Sequence, residues 1–251
     1  MQMKDLKEKI ASSEMVDIYK YGDCAVKLFS PQCRKTQALY EALTHARVEA
    51  TGLQVPVIRE VSVIDGRWAI TMDLIPGSTM EELMDKDPAN IDKYLNELVD
   101  IQLKIHEKHT PKLSKLKDKM ARQINSLDNI NDVTRYELLT RLESMPKHTK
   151  LCHGNFSPSN VIINDKGTFI VDWVAARQGN ASADVARTYL LLSLKSPEWA
   201  EKYMDLFCEK THTSKRYVQE WLPIVAAARL TEHRPEETEL LMKWLDVVQY
   251  E

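Results

Sequence analysis

The sequence predicts an α+β protein with an antiparallel sheet in its first third and helices in most of the remainder. Two turn pairs, Gly22-Asp23 and Asp65-Gly66, join short apolar runs before residue 75, whereas apolar residues recur at helical spacing after it. The composition agrees with a globular protein, because 43% of the 251 residues are hydrophobic and 28% are charged. A chain of this size can bury a substantial core.

Charge, cysteine usage and hydropathy narrow the class of protein. A formal net charge of -3 provides no global positive field for nucleic acid, so we expect small-molecule ligands and no nucleic-acid partner. The four cysteines form no CxxC pair, which argues against a disulfide framework or a zinc knuckle. Since no apolar run is long enough to span a bilayer and no signal peptide is evident, we expect a cytoplasmic protein without membrane contact. The sequence leaves the oligomeric state open.

The first third is expected to contain two β-hairpins. Each consists of two apolar runs that flank one turn pair, namely residues 15–20 with 24–29 and residues 57–64 with 67–75. In the last run every second residue is apolar, which predicts one buried face. The apolar positions are Trp68, Ile70, Met72 and Leu74.

A helix is expected between the two hairpins, over residues 36–50. Its composition favours a helix, and its larger apolar positions are Leu39, Leu43 and Ala46. Gly52 is a suitable residue to end it.

The composition changes at Pro76-Gly77, so we place a domain boundary there, between residues 1–75 and 76–251. Helical spacing of apolar residues follows in most of the second part. The predicted helical segments are residues 81–84, 91–106, 120–127, 133–142 and 184–192. Two closing helices are expected after them, of which the first carries Trp221 and the second carries Trp244 and Val248.

One stretch of the second part, residues 151–173, has a different character, because two short apolar strands joined by a turn carry a set of polar residues. Asn155 is placed to contact an acceptor hydroxyl, Asn160 offers an amide five residues later, and Asp172 offers a carboxylate after the turn. Magnesium prefers oxygen ligands and is usually held by one or two protein groups plus substrate phosphates. Asn160 and Asp172 are therefore the candidate Mg²⁺ ligands of a phosphoryl-transfer site.

A lysine in the first part supports this interpretation. Lys27 lies between Val26 and Leu28 in a predicted strand, and Glu41 lies on the helix that follows. An ion pair between such a lysine and a helix glutamate can hold the lysine against nucleotide phosphates.

The order of these motifs resembles the signature of the aminoglycoside phosphotransferase/choline kinase family. The matching segments are His153-Gly154-Asn155 with Asn160, then Val171-Asp172-Trp173, then Asp184-Val185-Ala186-Arg187. The resemblance implies a two-lobed, protein-kinase-like fold and transfer of the terminal phosphoryl group of ATP or GTP, with Mg²⁺, to a small-molecule hydroxyl. By the same resemblance, residues 1–75 would bind the nucleotide, and residues 76–251 would carry the catalytic hairpin and the acceptor pocket.

The resemblance also implies individual binding residues. Lys27 would contact the phosphates with Glu41 as its partner, the adenine would bond to main-chain groups of Asp73 and Ile75, and Met72 would lie behind the base. These five are the candidate nucleotide-binding residues.

Three further expectations concern loops and the helix at Asp184. Residues 12–14 would cover the phosphates without a GxGxxG motif, and residues 174–183 are too few for an activation loop, so a protein substrate is disfavoured. Asp184 heads an apolar helix, where a carboxylate can act as an N-cap. In the family the matching aspartate braces the catalytic loop, so we expect a structural role.

Asn155 departs from the family pattern, which has an aspartate there. An amide oxygen accepts a hydrogen bond but cannot take up a proton near neutral pH, and a general base typically contributes roughly 10²–10⁴-fold in rate. The substitution fits an engineered trap, a pseudokinase that binds nucleotide without phosphotransfer, or an enzyme whose acceptor needs little base assistance. Retention of Lys27, Asn160 and Asp172 favours a phosphotransferase with an impaired or altered catalytic step.

The acceptor itself is not identified by the sequence. Acidic residues follow Gly179 and would suit a cationic amine, although solvated helix faces explain most of them. They are Glu198, Glu209, Glu220, Glu232, Glu236 and Glu237. Sugars and homoserine-like compounds also stay open.

Overall fold

The computed structural model describes residues 2–245, so the predicted apolar position Val248 lies outside the described residues. This part of the chain forms two compact units. The first contains the described residues up to Leu83 together with Pro158–Val174, and the second contains Met84–Ser157 and the described residues from Ala175 onward. The predicted boundary between residues 75 and 76 stays a prediction.

The first unit is built on a five-stranded antiparallel sheet. Its strands are β1 (Glu8–Ser12), β2 (Val16–Tyr21), β3 (Cys24–Phe29), β4 (Ile58–Ile64) and β5 (Arg67–Asp73), and their order in the sheet is β1-β2-β3-β5-β4. Both predicted hairpins are present. Asp65 and Gly66 have φ values of 46° and 83°, which is the left-handed geometry that a two-residue hairpin turn requires. Strand β1 was not predicted from the sequence.

Both faces of this sheet are covered, and the apolar face predicted for β5 packs on one of them. On one side Val26, Leu28 and Ala69 pack with Leu6 and Ile64. The other side has its own cluster against the helix α1 (Lys35–Glu49), formed by Phe29, Ala38, Ala42 and Ile70.

Helix α1 is confirmed, but the apolar positions chosen from its sequence are wrong. Leu39, Leu43 and Ala46 are exposed, and the helix instead buries Ala38 and Ala42. Small side chains face the sheet here, since they let the helix backbone approach the strands.

A second, three-stranded sheet completes the first unit. It contains β6 (Ser78–Thr79), β8 (Val161–Asn164) and β9 (Gly167–Ile170) in the order β6-β8-β9. The β8–β9 pair is the hairpin predicted within residues 151–173. Gly77 enters this sheet with φ of 146°, and a Cβ atom there would lie 2.5 Å from the carbonyl oxygen of Ile163. Only glycine fits this approach.

The second unit is mainly helical. Helix α2 (Met80–Lys86) runs into it and is followed by α3 (Ile91–His106), α4 (Leu116–Asn125), α5 (Asp132–Ser144), α6 (Ala181–Lys195), α7 (Pro197–Thr211), α8 (Lys215–Gln219), α9 (Leu222–Leu230) and α10 (Pro235–Lys243). A short antiparallel pair joins β7 (Lys150–Cys152) to β10 (Arg177–Gly179). Helix α7 was not assigned from the sequence. The α+β class is confirmed, and no helix of the described chain has the length and apolar character to cross a membrane.

Candidate active site

A cavity of about 570 Å³ lies within the first unit. It collects all seven residues that the sequence proposed for nucleotide and metal, which are Lys27, Glu41, Met72, Asp73, Ile75, Asn160 and Asp172. Ser12, the last residue of β1, and Ser13, which follows it, also line the cavity. Segments that are far apart in sequence therefore meet around one space of ligand size.

Lys27 is the central charge of this cavity. Its ammonium forms an ion pair with Glu41 on α1 and lies 3.5 Å from Oδ1 of Asp172, and 12% of its side chain is exposed. Burial alone would lower the pKa of this lysine, but the two carboxylates together raise that pKa above its ordinary value. Lys27 therefore keeps its positive charge at neutral pH.

A backbone hydrogen bond connects the two segments that carry Asn160 and Asp172, because the N–H of Val171, the residue before Asp172, donates to the carbonyl oxygen of Asn160 at 3.0 Å. Asp172 has φ of 64°, a left-handed conformation that costs a non-glycine residue about 1–3 kcal/mol and is found preferentially at functional sites. The described residues contain no group of three or more His, Cys, Asp or Glu side chains that could hold a metal. Two oxygen donors fit Mg²⁺, which completes its shell with phosphates and water.

The segment after β5 offers a free hydrogen-bond donor to the cavity. The N–H groups of Asp73 and Leu74 donate to the carbonyl oxygens of Val57 and Asp23, each at 3.0 Å. The N–H of Ile75 has no hydrogen-bond partner among the described residues, although Ile75 lines the cavity. An unpaired backbone donor at a cavity wall suits an acceptor nitrogen of a purine base.

Asn155 belongs to the second unit, in a loop that Asp184 holds. The Asp184 carboxylate accepts the N–H groups of His153 at 3.1 Å and Gly154 at 2.7 Å, and Nε2 of His106 donates to it at 3.0 Å. Burial would raise the pKa of Asp184, but the bonds and charges of the histidines and of Gly154 hold that pKa below its ordinary value. The N-cap of α6 is Asn180, which accepts the N–H of Ser182 at 2.9 Å, so the expected cap role of Asp184 is wrong.

The loop geometry also depends on Gly154. Its φ is 79°, and a Cβ atom there would lie 2.6 Å from the carbonyl oxygen of Ala175. The next residue, Asn155, donates its backbone N–H to Nδ1 of His153 at 3.3 Å. The backbone around Asn155 is thus fixed before any ligand arrives.

The side chain of Asn155 faces a positive charge. Its Oδ1 accepts a hydrogen bond from the Arg187 guanidinium at 3.3 Å, and the same Arg187 nitrogen donates to Oε1 of Glu232 at 2.6 Å. Such a position suits a carboxylate at least as well as an amide, since a carboxylate would add an ion pair.

The sequence matches the model of the phosphotransferase enzyme family over residues 16–221. The chain belongs to this family. A search of curated protein sequences finds no match.

Solved structures of low sequence identity share the protein-kinase-like fold of this family member. An apo thermostable mutant of the aminoglycoside phosphotransferase APH(4)-Ia has a TM-score of 0.69 and 13% identity, with 96% of this chain and 91% of that chain covered. Amicoumacin kinase hAmiN in complex with AMP-PNP, Ca²⁺ and Ami has a TM-score of 0.65 and 12% identity, with 98% and 88% covered. A choline/ethanolamine kinase family protein from Mesorhizobium loti has a TM-score of 0.60 and 14% identity, with 97% and 86% covered.

Sequence reasoning missed part of the surroundings of Asn155 in this phosphotransferase family member. From the sequence, Arg187 is only one member of a motif, and Lys119 belongs to a lysine-rich run over residues 112–119 that is expected to be a solvated helix face or loop. Burial together with the positive charges of Arg177 and Arg187 lowers the pKa of Lys119 to about 8. No sequence signal links Lys119 to the loop, because the residues belong to segments more than thirty positions apart.

The role of Asp184 can be tested by Asp184→Asn. Loss of a buried carboxylate with several donors should reduce the free energy of unfolding by roughly 3–5 kcal/mol at pH 7, measured by urea denaturation. The exposed Asp205, which pairs with Lys215 at 2.7 Å, provides the control Asp205→Asn, with a much smaller expected loss.

The lowered pKa of Asp184 predicts that the stability of the folded protein depends on pH. Because the folded-state pKa of Asp184 lies below the ordinary value of 3.8, its stabilisation is present above that pH and is lost as the pH falls through the folded pKa. The difference in free energy of unfolding between the native protein and Asp184→Asn should therefore shrink below about pH 4. A difference that does not change with pH would contradict an ionised Asp184.

Proposed function

We propose that this protein is an ATP-dependent phosphotransferase that uses Mg²⁺ and acts on a hydroxyl group of a small molecule. The observation that carries the proposal is the first-unit cavity, where the Lys27–Glu41 ion pair, Asn160 and Asp172 meet beside the unpaired N–H of Ile75. Family membership supports the same reaction class. The same backbone donor could also contact the base of GTP, so binding is measured with both ATP and GTP.

In this proposal the charged residues of the cavity hold the nucleotide phosphates. The Lys27 ammonium, kept protonated by Glu41 and Asp172, would bind phosphate oxygens as a positively charged donor. Asn160 and Asp172 would hold Mg²⁺, which neutralises phosphate charge when it is bound. Met72 and the main chain of Asp73 and Ile75 would contact the base.

The second unit would supply the acceptor position. The Asn155 amide oxygen accepts a hydrogen bond, so it can orient the acceptor hydroxyl without removing its proton. In the reaction the hydroxyl oxygen forms a bond to the terminal phosphorus, the bond from that phosphorus to the bridging oxygen breaks, and ADP leaves. The hydroxyl proton then passes to solvent or to the phosphate, since Asn155 cannot hold it. Positioning and charge supply most of the catalysis in such a reaction, so slow turnover is compatible with Asn155.

A second candidate function is favoured by Asn155 itself. A pseudokinase or nucleotide-binding module would keep the cavity and use the bound nucleotide to stabilise one conformation, with no acceptor. The two candidates agree on nucleotide binding and differ in turnover.

Replacing Lys27 tests nucleotide binding. Lys27→Met should weaken Mg·ATP binding roughly 10–100-fold in isothermal titration, because a hydrogen bond to a charged group contributes about 1.5–3 kcal/mol. Lys20 lies on β2 of the same hairpin with 44% of its side chain exposed, so Lys20→Met is a charge-matched control that should bind normally. Parallel titration with GTP identifies the preferred nucleotide. Equal affinity of Lys27→Met and the native protein would refute the proposed phosphate contact.

Replacing Asn155 tests turnover. Asn155→Asp should raise kcat on the order of 10²-fold, because the carboxylate gains the ability to take up the hydroxyl proton. ADP release with a panel of small hydroxyl compounds measures this kcat. Asn155→Ala is the control, since an alanine side chain can neither accept a hydrogen bond from the hydroxyl nor take up its proton. If Asn155→Asp releases no ADP above the background with any compound while Mg·ATP still binds, the pseudokinase becomes the better description.

A further inference from the structure

Helix α6 contacts the loop around Asn155 in two different ways. The Asp184 carboxylate accepts two backbone N–H groups of this loop, and the Thr188 hydroxyl, one turn later, donates to the carbonyl oxygen of Phe156 at 3.0 Å. Arg187 instead donates to the side chain of Asn155, at 3.3 Å. The loop backbone is therefore held by Asp184 and Thr188, whereas Arg187 acts on the side chain.

The contact with Arg187 determines which end of the Asn155 amide faces the guanidinium. A guanidinium only donates hydrogen bonds, whereas the two ends of an asparagine amide have nearly the same shape and opposite roles. Arg187 therefore selects the orientation in which Oδ1, and not the amino group, faces it. Since an amide oxygen has two lone pairs, this orientation is compatible with a hydrogen bond from an acceptor hydroxyl.

Arg187 is itself held in place by a carboxylate. Only 8% of the residue is exposed, and the nitrogen that contacts Asn155 also donates to Oε1 of Glu232 at 2.6 Å. Burial lowers the pKa of Arg187 below its ordinary value, and the negative charge of Glu232 acts in the opposite direction. A guanidinium stays protonated at neutral pH, so the pair is ionised and its geometry restricts Arg187.

The position of Glu232 is fixed by further contacts. This residue lies between α9 and α10, and its second carboxylate oxygen pairs with Arg229. Arg229 also donates to both oxygens of Glu237 on α10, each at 2.6 Å, and both of these residues are buried. A bidentate pair of this kind restricts geometry more than a single contact does. The amide of Gln123 on α4 donates to the hydroxyl of Thr231, the residue before Glu232, at 2.9 Å.

We propose that Arg187 is a positioning residue, which orients the Asn155 side chain for the acceptor hydroxyl, and that Glu232 holds Arg187 in place for this role. The inference rests on the proposed phosphotransfer, because the orientation of Asn155 matters to turnover only if an acceptor hydroxyl binds there. It also changes the expected role of Glu232, one of the acidic residues considered for a cationic acceptor. Both of its oxygens pair with arginines, so Glu232 acts through Arg187 and not on an amine.

A carboxyl group at residue 155 reports the contact without any substrate. In Asn155→Asp, the Arg187 guanidinium should hold the pKa of the introduced carboxyl low, and the added substitution Arg187→Met should raise that pKa by about one unit or more. Carbon-13 NMR of the aspartate side chains measures this pKa in nucleotide-free protein. The control Arg216→Met removes an arginine on α8 whose side chain is 68% exposed, and it should leave the pKa unchanged.

A double-mutant cycle tests the positioning role. Arg187→Met should lower kcat for ADP release on the order of tenfold, measured with the most active compound of the panel, because a misplaced group contributes less to the reaction. The affinity for Mg·ATP should stay unchanged. In the Asn155→Ala background the same substitution should leave kcat unchanged, since no side chain remains to be oriented. Arg187→Lys keeps a charged donor and should recover part of the loss.

A merely structural role of Arg187 predicts a different result. Arg187→Met would then lower kcat by the same factor in the native protein and in Asn155→Ala, and this outcome overturns the proposal. A carboxyl pKa that is the same with and without Arg187 overturns it as well. If Arg187→Met does not fold, Glu232→Gln, which keeps Arg187 and weakens its hold, takes its place in both experiments.

The proposed phosphotransfer fails separately from this inference. If no variant releases ADP, Asn155→Asp included, the phosphotransferase is refuted and Arg187 has no acceptor to serve. The carboxyl pKa still decides in that case whether Arg187 contacts residue 155.

Discussion

The burial of ionised side chains is the constraint on which both units depend. A charge removed from water is destabilising unless counter-charges or hydrogen bonds replace its hydration. In the first unit Lys27 meets this constraint with Glu41 and Asp172, which come from α1 and from the turn after β9. In the second unit Asp184 meets it with backbone donors and His106. Each set of contacts also holds in place the backbone segments that carry the contacting residues. The contacts that neutralise a buried charge therefore also position the candidate functional residues.

The surroundings of Asn155 would accommodate an aspartate, the residue that the family resemblance implies at this position. Asp184 holds the loop, Gly154 has the conformation that the turn needs, and Arg187 presents a positive charge to residue 155. All of these features suit a carboxylate. Asparagine differs from aspartate by one amide nitrogen in place of an oxygen, which removes proton uptake and keeps the hydrogen-bond acceptor.

Local sequence signals predicted the local structure well. The Gly22-Asp23 and Asp65-Gly66 turns each depend on two adjacent residues, and both join the strands that the sequence predicted. The buried face of α1 was assigned wrongly, because contact with the sheet selects Ala38 and Ala42 whereas the larger Leu39 and Leu43 stay exposed. Side-chain size is a poor guide to burial where a helix must approach a sheet closely.

The candidate site was predictable only in part. Lys27, Asn160 and Asp172 follow an order along the chain that a family resemblance can identify. The contacts of Arg187 with Asn155 and Glu232 join residues 32 and 45 positions apart, and no periodicity or motif indicates them.

A crystal structure of the native protein grown with AMP-PNP and Mg²⁺ tests the central claim most directly. The account predicts nucleotide density in the first-unit cavity, with the Lys27 ammonium on phosphate oxygens, the N–H of Ile75 on the base, and a metal held by Asn160 and Asp172. A nucleotide bound away from Lys27, or a metal that contacts neither Asn160 nor Asp172, would contradict it.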